Sequence, residues 1–274
     1  MSGENATSAD NQQETLYYFC GFMVGESSIC LIKATNKKGG TGFYYSPDFT
    51  ISNANLTLLQ IVNQVVSNGR GVISPIKGGY NLSIRGKEKV RLALSFFDRY
   101  PPITGDMIKE KLLLLRKAMI ILERKKNRNK RLPKEAVMIE RLRQKLKQLK
   151  KEGKASRHFR KIRASRKETG YFLAGIVDAE GSMGFRQSGD RLQPYFCVAM
   201  REESIIDLFR KYFGFGSKYY RPASKLYQFE TGKKGNVLHL SNFFLLEYPV
   251  RLPKNRERMQ KIQWILNDYT PGSA

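Results

Sequence analysis

Two glutamates stand at matched places in this 274-residue chain. Glu26 follows the run Tyr17-Tyr-Phe-Cys-Gly-Phe-Met-Val-Gly25, and Glu180 follows Tyr171-Phe-Leu-Ala-Gly-Ile-Val-Asp-Ala179, at an offset of 154 residues. Each run carries two small residues four positions apart, Gly21 and Gly25 in the first and Gly175 and Ala179 in the second. Residues at that spacing share one helix face, and a face without side chains admits a second backbone. Glycine inside a helix costs about 0.5–1 kcal/mol relative to alanine, so helix stability does not account for these residues. Packing the two runs against each other does. Their C-terminal ends then meet, bringing two carboxylates together at the negative ends of two helix dipoles, which calls for a cation. Mg²⁺, held by a few carboxylates and completed by water and substrate phosphates, meets that need.

The elements that must position these acids repeat as well. Phe49-Thr-Ile-Ser aligns with Phe196-Cys-Val-Ala at an offset of 147, and Tyr100-Pro101 with Tyr248-Pro249 at 148. Apolar periodicity predicts helices over 56–66 and 205–213, followed by glycine-marked strand pairs over 69–84 and 214–229. Each Tyr-Pro opens a terminal helix. The order in both halves is helix, two strands, helix, two strands, helix, an α+β chain of two copies. The expected division is a flexible leader over 1–15, an N-terminal repeat over 16–123, a basic and partly helical linker over 124–168, and a C-terminal repeat over 169–274.

Charge points to the partner. Forty-nine Lys and Arg against 24 Asp and Glu leave a formal net charge of +25, an excess that favours a polyanion. The linker concentrates it, with 20 basic residues and three acidic ones between Arg124 and Lys167. Within it Pro133, Ile139, Leu142, Leu146 and Leu149 mark a helix with a narrow apolar stripe that ends at Gly153. Three cysteines without a CxxC pair and two distant histidines exclude a disulfide framework and a zinc finger. No stretch of 18 apolar residues suits a membrane span. The first fifteen residues have neither signal- nor transit-peptide character, so the expected location is intracellular, in an organelle or a prokaryotic cytoplasm, and not secreted.

Strand residues alternate faces, so each sheet can turn one face to its helices and another to nucleic acid. Candidates for that second face are Lys33, Lys37, Lys38, Arg70, Lys77, Tyr80, Ser83 and Arg85 in the first half. The second half offers Arg186, Gln187, Arg191, Gln193, Arg201, Lys218, Tyr220, Arg221, Lys225, Gln228 and Glu230. Arg and Lys pair with guanine edges and Gln with adenine. Linker cations suit phosphates.

Leu173-Ala-Gly-Ile-Val-Asp-Ala-Glu-Gly181 closely resembles the signature of the LAGLIDADG homing endonucleases, and Phe19-Cys-Gly-Phe-Met-Val-Gly-Glu-Ser27 a diverged first copy. The resemblance covers both halves, from Tyr17 to Asn267, and is to the monomeric two-repeat members. It implies two pseudo-symmetric αββαββα units, motif helices at their interface, and a saddle of two antiparallel sheets over double-stranded DNA. It implies that Glu26 and Glu180 bind divalent metal, joined by the carbonyls of Gly25 and Ala179, and that Lys254 assists near the active centre. Val24 stands where the second copy has Asp178, which marks Asp178 as structural.

The resemblance further implies Mg²⁺-dependent cleavage of a long asymmetric target, with Ca²⁺ supporting binding without cleavage. The alternative is a group I intron RNA maturase that uses the same fold without cutting DNA. If the linker tracks phosphates, neutralising four of its cations should make the slope of log affinity against log salt shallower by about four while target choice is unchanged. An unchanged slope in a salt titration of binding would leave the linker as a tether only.

Overall fold

The computed structural model describes residues 4–35, 43–124, 133–160 and 162–268. Lys37 and Lys38, and linker residues 125–132 and 161, lie outside them. The first repeat runs α1 (Glu4–Glu26), β1 (Ser27–Thr35), β2 (Phe43–Asn53), α2 (Leu56–Ser67), β3 (Val72–Ile76), β4 (Gly79–Arg85), α3 (Lys87–Arg99) and α4 (Asp106–Glu123). After the linker helix α5 (Pro133–Glu152) come α6 (Arg166–Glu180), β5 (Gly181–Ser188), β6 (Arg191–Met200), α7 (Glu203–Phe213), β7 (Ser217–Arg221), β8 (Leu226–Thr231), α8 (Lys234–Asn242), a π-helical turn (Phe243–Glu247) and α9 (Pro253–Asp268). The αββαββα order is thus present twice, and each copy continues into a further helix beyond its Tyr-Pro. The backbone of α1 begins at Glu4, within the segment expected to be a flexible leader.

Local chemistry accounts for the boundaries. Asn55 caps α2, its side chain accepting from the Leu58 amide at 2.7 Å, and Asn68 ends the helix in the left-handed region. Ser165 and Glu168 form a reciprocal capping box at the start of α6. Pro253 opens α9, where its missing N–H costs nothing.

Both sheets are antiparallel and share one topology, β1-β2-β4-β3 and β5-β6-β8-β7. The registers bring Ile29 opposite Phe49 and Phe49 opposite Ile84 in the first, Met183 opposite Phe196 and Val198 opposite Phe229 in the second. These buried side chains form the helix-covered faces.

The chain divides into two compact units. One comprises residues 26–102 and 106–160; the other comprises 1–25, 103–105 and 161–274, so α1 up to Gly25 belongs with the second repeat. Among the described residues no helix is long and apolar enough to cross a membrane.

The linker helix is packed. Its stripe buries Ile139, Leu146 and Leu149, and Arg143 Nε donates to the Leu31 carbonyl of edge strand β1 at 3.1 Å. An edge strand with free backbone groups invites pairing with another chain, and α5 covers this one. Glu140 is the hub. It accepts from Tyr45 Oη at 2.6 Å and Arg143 Nη1 at 2.9 Å, and lies 3.5 Å from Lys33 Nζ. The Tyr45 hydroxyl, ahead of the other donors, holds its carboxyl down at about 2. A depressed carboxyl stabilises the fold above its unfolded value near 4.5, and that contribution disappears as pH falls through about 2. Glu140→Ala should therefore cost about 1–2 kcal/mol at pH 7 and nothing below pH 2, read from denaturant midpoints at the two pH values.

Candidate functional site: the paired motif helices and the open sheet faces

Within the second unit, α1 and α6 cross at their small residues. A Cβ added to Gly21 would lie 2.0 Å from the Phe172 carbonyl oxygen, and one added to Gly175 would lie 2.0 Å from the Tyr18 carbonyl oxygen. Tyr18 and Phe172 are themselves equivalent under the repeat offset, so the contact is reciprocal and two-fold. Only hydrogen fits there. One turn on, a Cβ at Gly25 would fall 2.4 Å from Ala179 Cβ. The side chains around the crossing, Tyr18, Phe22, Phe172 and Ile176, are fully buried. Backbones this close gain dispersion and Cα–H···O contacts that larger residues would forbid.

Each of the next residues is an acid at the end of its helix, Glu26 closing α1 and Glu180 closing α6. Burial pushes the Glu26 carboxyl up to about 7, opposed by a 3.2 Å hydrogen bond from Asn53 Nδ2. A carboxylate so desolvated with one neutral donor suits a cation ligand. Among the described residues no group of three or more His, Cys, Asp or Glu could hold a metal alone. A divalent ion at Glu26 would need carbonyls, water or phosphate oxygens to complete its shell.

Asp178 has a different task. It is buried, and Oδ2 accepts from Tyr18 Oη at 2.6 Å, from the Arg251 amide and from the Leu252 amide at 3.0 Å, while Oδ1 accepts from Asn255 Nδ2 at 2.9 Å. Burial raises its pKa, with those hydrogen bonds opposing, and raises that of Tyr18. Arg251 stacks over the Tyr18 and Phe19 rings at 4.8 and 4.5 Å. Asp178 thereby fixes the start of α9, whose second residue is the exposed Lys254.

Strand parity sorts the other candidates. On the first sheet, Ser83 and Arg85 share the uncovered face with Ser28, Cys30, Tyr44, Ser46, Asp48, Thr50, Ser52, Val72, Ser74, Ile76 and Asn81. Tyr80 pairs with Asn53 and Lys33 with Tyr45, on the helix-covered face. Lys33 there sits 4.2 Å from the Phe43 ring centroid and pairs with Glu140. Arg70 and Lys77 are exposed, Arg70 after α2 and Lys77 in the β3–β4 turn.

On the second sheet Arg186, Arg191, Gln193, Arg221, Gln228 and Glu230 lie on the uncovered face with Tyr195, Cys197 and Tyr219. Gln187, Lys218 and Tyr220 have the opposite parity, and Lys218 binds Glu203 and Asp207 of α7 at 2.8 and 2.7 Å. Arg201 and Lys225 occupy turns. Tyr44, Tyr195, Tyr219 and Asp48 were not among the sequence candidates, although parity with Phe49 and Val198 marks their face.

Neither a scan of protein-family models nor a search of curated proteins finds a match. Solved structures do match over nearly the whole chain. The LAGLIDADG homing endonuclease I-GzeII in complex with its DNA target is 19% identical, with 92% of this chain and 89% of that one covered and a TM-score of 0.73. I-SmaMI bound to uncleaved DNA target in the presence of calcium ions is 19% identical, covering 93% and 94%, with a TM-score of 0.75. The LAGLIDADG meganuclease I-CpaMI bound to uncleaved DNA is 17% identical, covering 92% of each chain, with a TM-score of 0.72. The fold is that of the LAGLIDADG homing endonucleases. In this LAGLIDADG fold the motif acids end the two helices that touch through backbone, and the two uncovered sheet faces carry the arginines.

Two substitutions should move stability in opposite directions in metal-free protein. The Glu26 pKa is raised on folding, so its ionisation disfavours the fold as pH rises from 4.5 to about 7. Glu26→Gln should gain about 1 kcal/mol at pH 8, after allowance for partial solvent exposure, and little at pH 4. Asp178→Ala should lose about 3 kcal/mol by stranding the Tyr18, Asn255 and backbone donors. Thermal melts with chelator at the two pH values measure both.

Proposed function

We propose that this chain is a site-specific DNA endonuclease that hydrolyses phosphodiester bonds with divalent metal. The observation that carries the reading is the reciprocal contact of Gly21 with Phe172 and Gly175 with Tyr18, continued by Gly25 against Ala179, one residue ahead of each acid. Glu26 and Glu180, with the carbonyls of Gly25 and Ala179, would hold Mg²⁺. When bound there, the metal would supply positive charge to the scissile phosphate and lower the pKa of water. Its charge would also offset the desolvation of Glu26.

The remaining residues bind and orient. Arg85, Arg186, Arg191, Gln193 and Arg221, on the uncovered faces, contact base edges, while exposed cations such as Arg70, Lys77, Arg201 and Lys225 contact phosphates. Lys254, held near the start of α9 by Asp178, contributes a positive charge beside the scissile region. The first half has no lysine at the matching place after Tyr100-Pro101, so Lys254 would assist one strand's cut only. Because the two sheets carry different side chains, the target is asymmetric. The bound partners of I-GzeII, I-SmaMI and I-CpaMI support DNA as the polymer, and the calcium with I-SmaMI supports a divalent site.

A plasmid library with a randomised insert, incubated with the chain in Mg²⁺ or Ca²⁺, tests the proposal. Cleavage is expected in Mg²⁺ and binding alone in Ca²⁺. Glu180→Gln and Glu26→Gln should each retain binding and reduce double-strand cleavage by at least about 100-fold, or convert it to nicking. Full cutting by Glu180→Gln would sink the metal assignment, and intact plasmid in Mg²⁺ would sink the activity.

A further inference from the structure

An acid sits on the uncovered face of the first sheet, where a negative charge opposes approach by phosphates. Asp48 lies on β2, opposite Cys30 of β1 and Arg85 of β4. Its side chain is 3% exposed while that of Arg85 is 56% exposed. Ser83 Oγ donates to Oδ1 at 3.0 Å, Arg85 Nε to Oδ1 at 3.3 Å, and Arg85 Nη2 to Oδ2 at 3.4 Å. The carboxylate is thus engaged on both oxygens and too buried to accept from a cytosine amine itself.

What it does is hold the arginine by one edge. The Nε/Nη2 edge is turned to Asp48, which leaves the Nη1/Nη2 end of the fork of this exposed side chain without a bond to Asp48. That end carries the two parallel donors that match guanine O6 and N7. Fixing a long side chain beforehand removes ordering entropy from binding, and the acid weakens attraction to any phosphate. A weaker general attraction with a sharper local contact is how discrimination is gained at the expense of affinity. The second sheet differs. There Glu230 holds Arg186 through Nη1 at 2.6 Å, at the reading end itself, so Arg186 would have to let go before pairing.

Resting on the endonuclease reading above, we infer that Asp48 is a specificity-determining residue that positions Arg85 to read one guanine of the target. Asp48→Asn keeps shape and removes the charge that orients the fork. Arg85→Lys keeps the exposed charge and removes the fork, and serves if Asp48→Asn fails to fold.

The experiment is selection of bound duplexes from a random double-stranded DNA library by the full chain in Ca²⁺, followed by competition titrations at single positions. The wild-type consensus should contain a guanine whose preference falls about tenfold in Asp48→Asn and in Arg85→Lys, at the same position in both. Preferences elsewhere should persist, and affinity of Asp48→Asn for unrelated duplex should equal or exceed wild type. A wild-type consensus that neither substitution changes, or that they change at different positions, overturns this inference alone. Absence of any wild-type consensus overturns the DNA reading and this inference with it.

Discussion

The structure depends on one steric constraint: two helix backbones touch where only hydrogen fits. At Gly21 and Gly175 a carbonyl oxygen of the opposite helix occupies the space a Cβ would need. This contact places α1 with the second repeat, although β1, which follows it directly, belongs to the other unit. The chain therefore passes from one unit to the other within a single covalent step, between Gly25 and Glu26. The cost of three helical glycines is recovered through the fully buried aromatic and aliphatic side chains that flank the crossing.

Electrostatics runs against this packing at a few chosen acids. A chain of net charge +25 has no general need to bury carboxylates on or near surfaces suited to a polyanion. Asp178 is buried because four donors require an acceptor at the start of α9, and Asp48 because Arg85 must be aimed, while the half-buried Glu140 fastens α5 to β1 and β2. Glu26 stands apart, with burial pushing it up to about 7 and a single hydrogen bond from Asn53 opposing. The other three acids have their compensation within the protein, which is why Glu26 is the acid whose environment asks for an outside cation.

Much of the fold could be read from residue spacing. Small residues four apart, repeated at a fixed offset with an acid behind them, are legible because a helix has one period and a glycine face has one use. The apolar repeats of α2 and α7, and the stripe of α5 ended by Gly153, are legible for the same reason. Which side of a sheet a residue occupies was harder. Lys33, Tyr80, Gln187, Lys218 and Tyr220 are chemically apt for nucleic acid, yet Lys33, Tyr80 and Gln187 are an even number of residues from buried Leu31, Leu82 and Met183 on their own strands, Lys218 pairs with buried Phe229, and Tyr220 lies two residues from Lys218. A shift of one residue reverses every side chain, and long polar side chains near strand ends blur the alternation. The third helix of each repeat, α3 or α8, escaped because the strand pairs ahead of it are short and the Tyr-Pro drew the boundary.

Asp48 shows the limit of reading residues singly. In sequence it sits beside Pro47 and Phe49 and signals a turn or a solvated strand position. Its role exists only through the β2–β4 register, which sets it against Arg85, and through Ser83 two residues earlier on the same strand face. Charge counting would assign it nothing, since it subtracts from the attraction that the 49 Lys and Arg residues supply. Yet attraction to phosphate is the same along any duplex, so added cations cannot tell one sequence from another. Discrimination must come from donors whose direction is fixed before contact. On a flexible basic surface that requires something to hold the donor still, and in a sheet the nearest available holder is an acid on the adjoining strand.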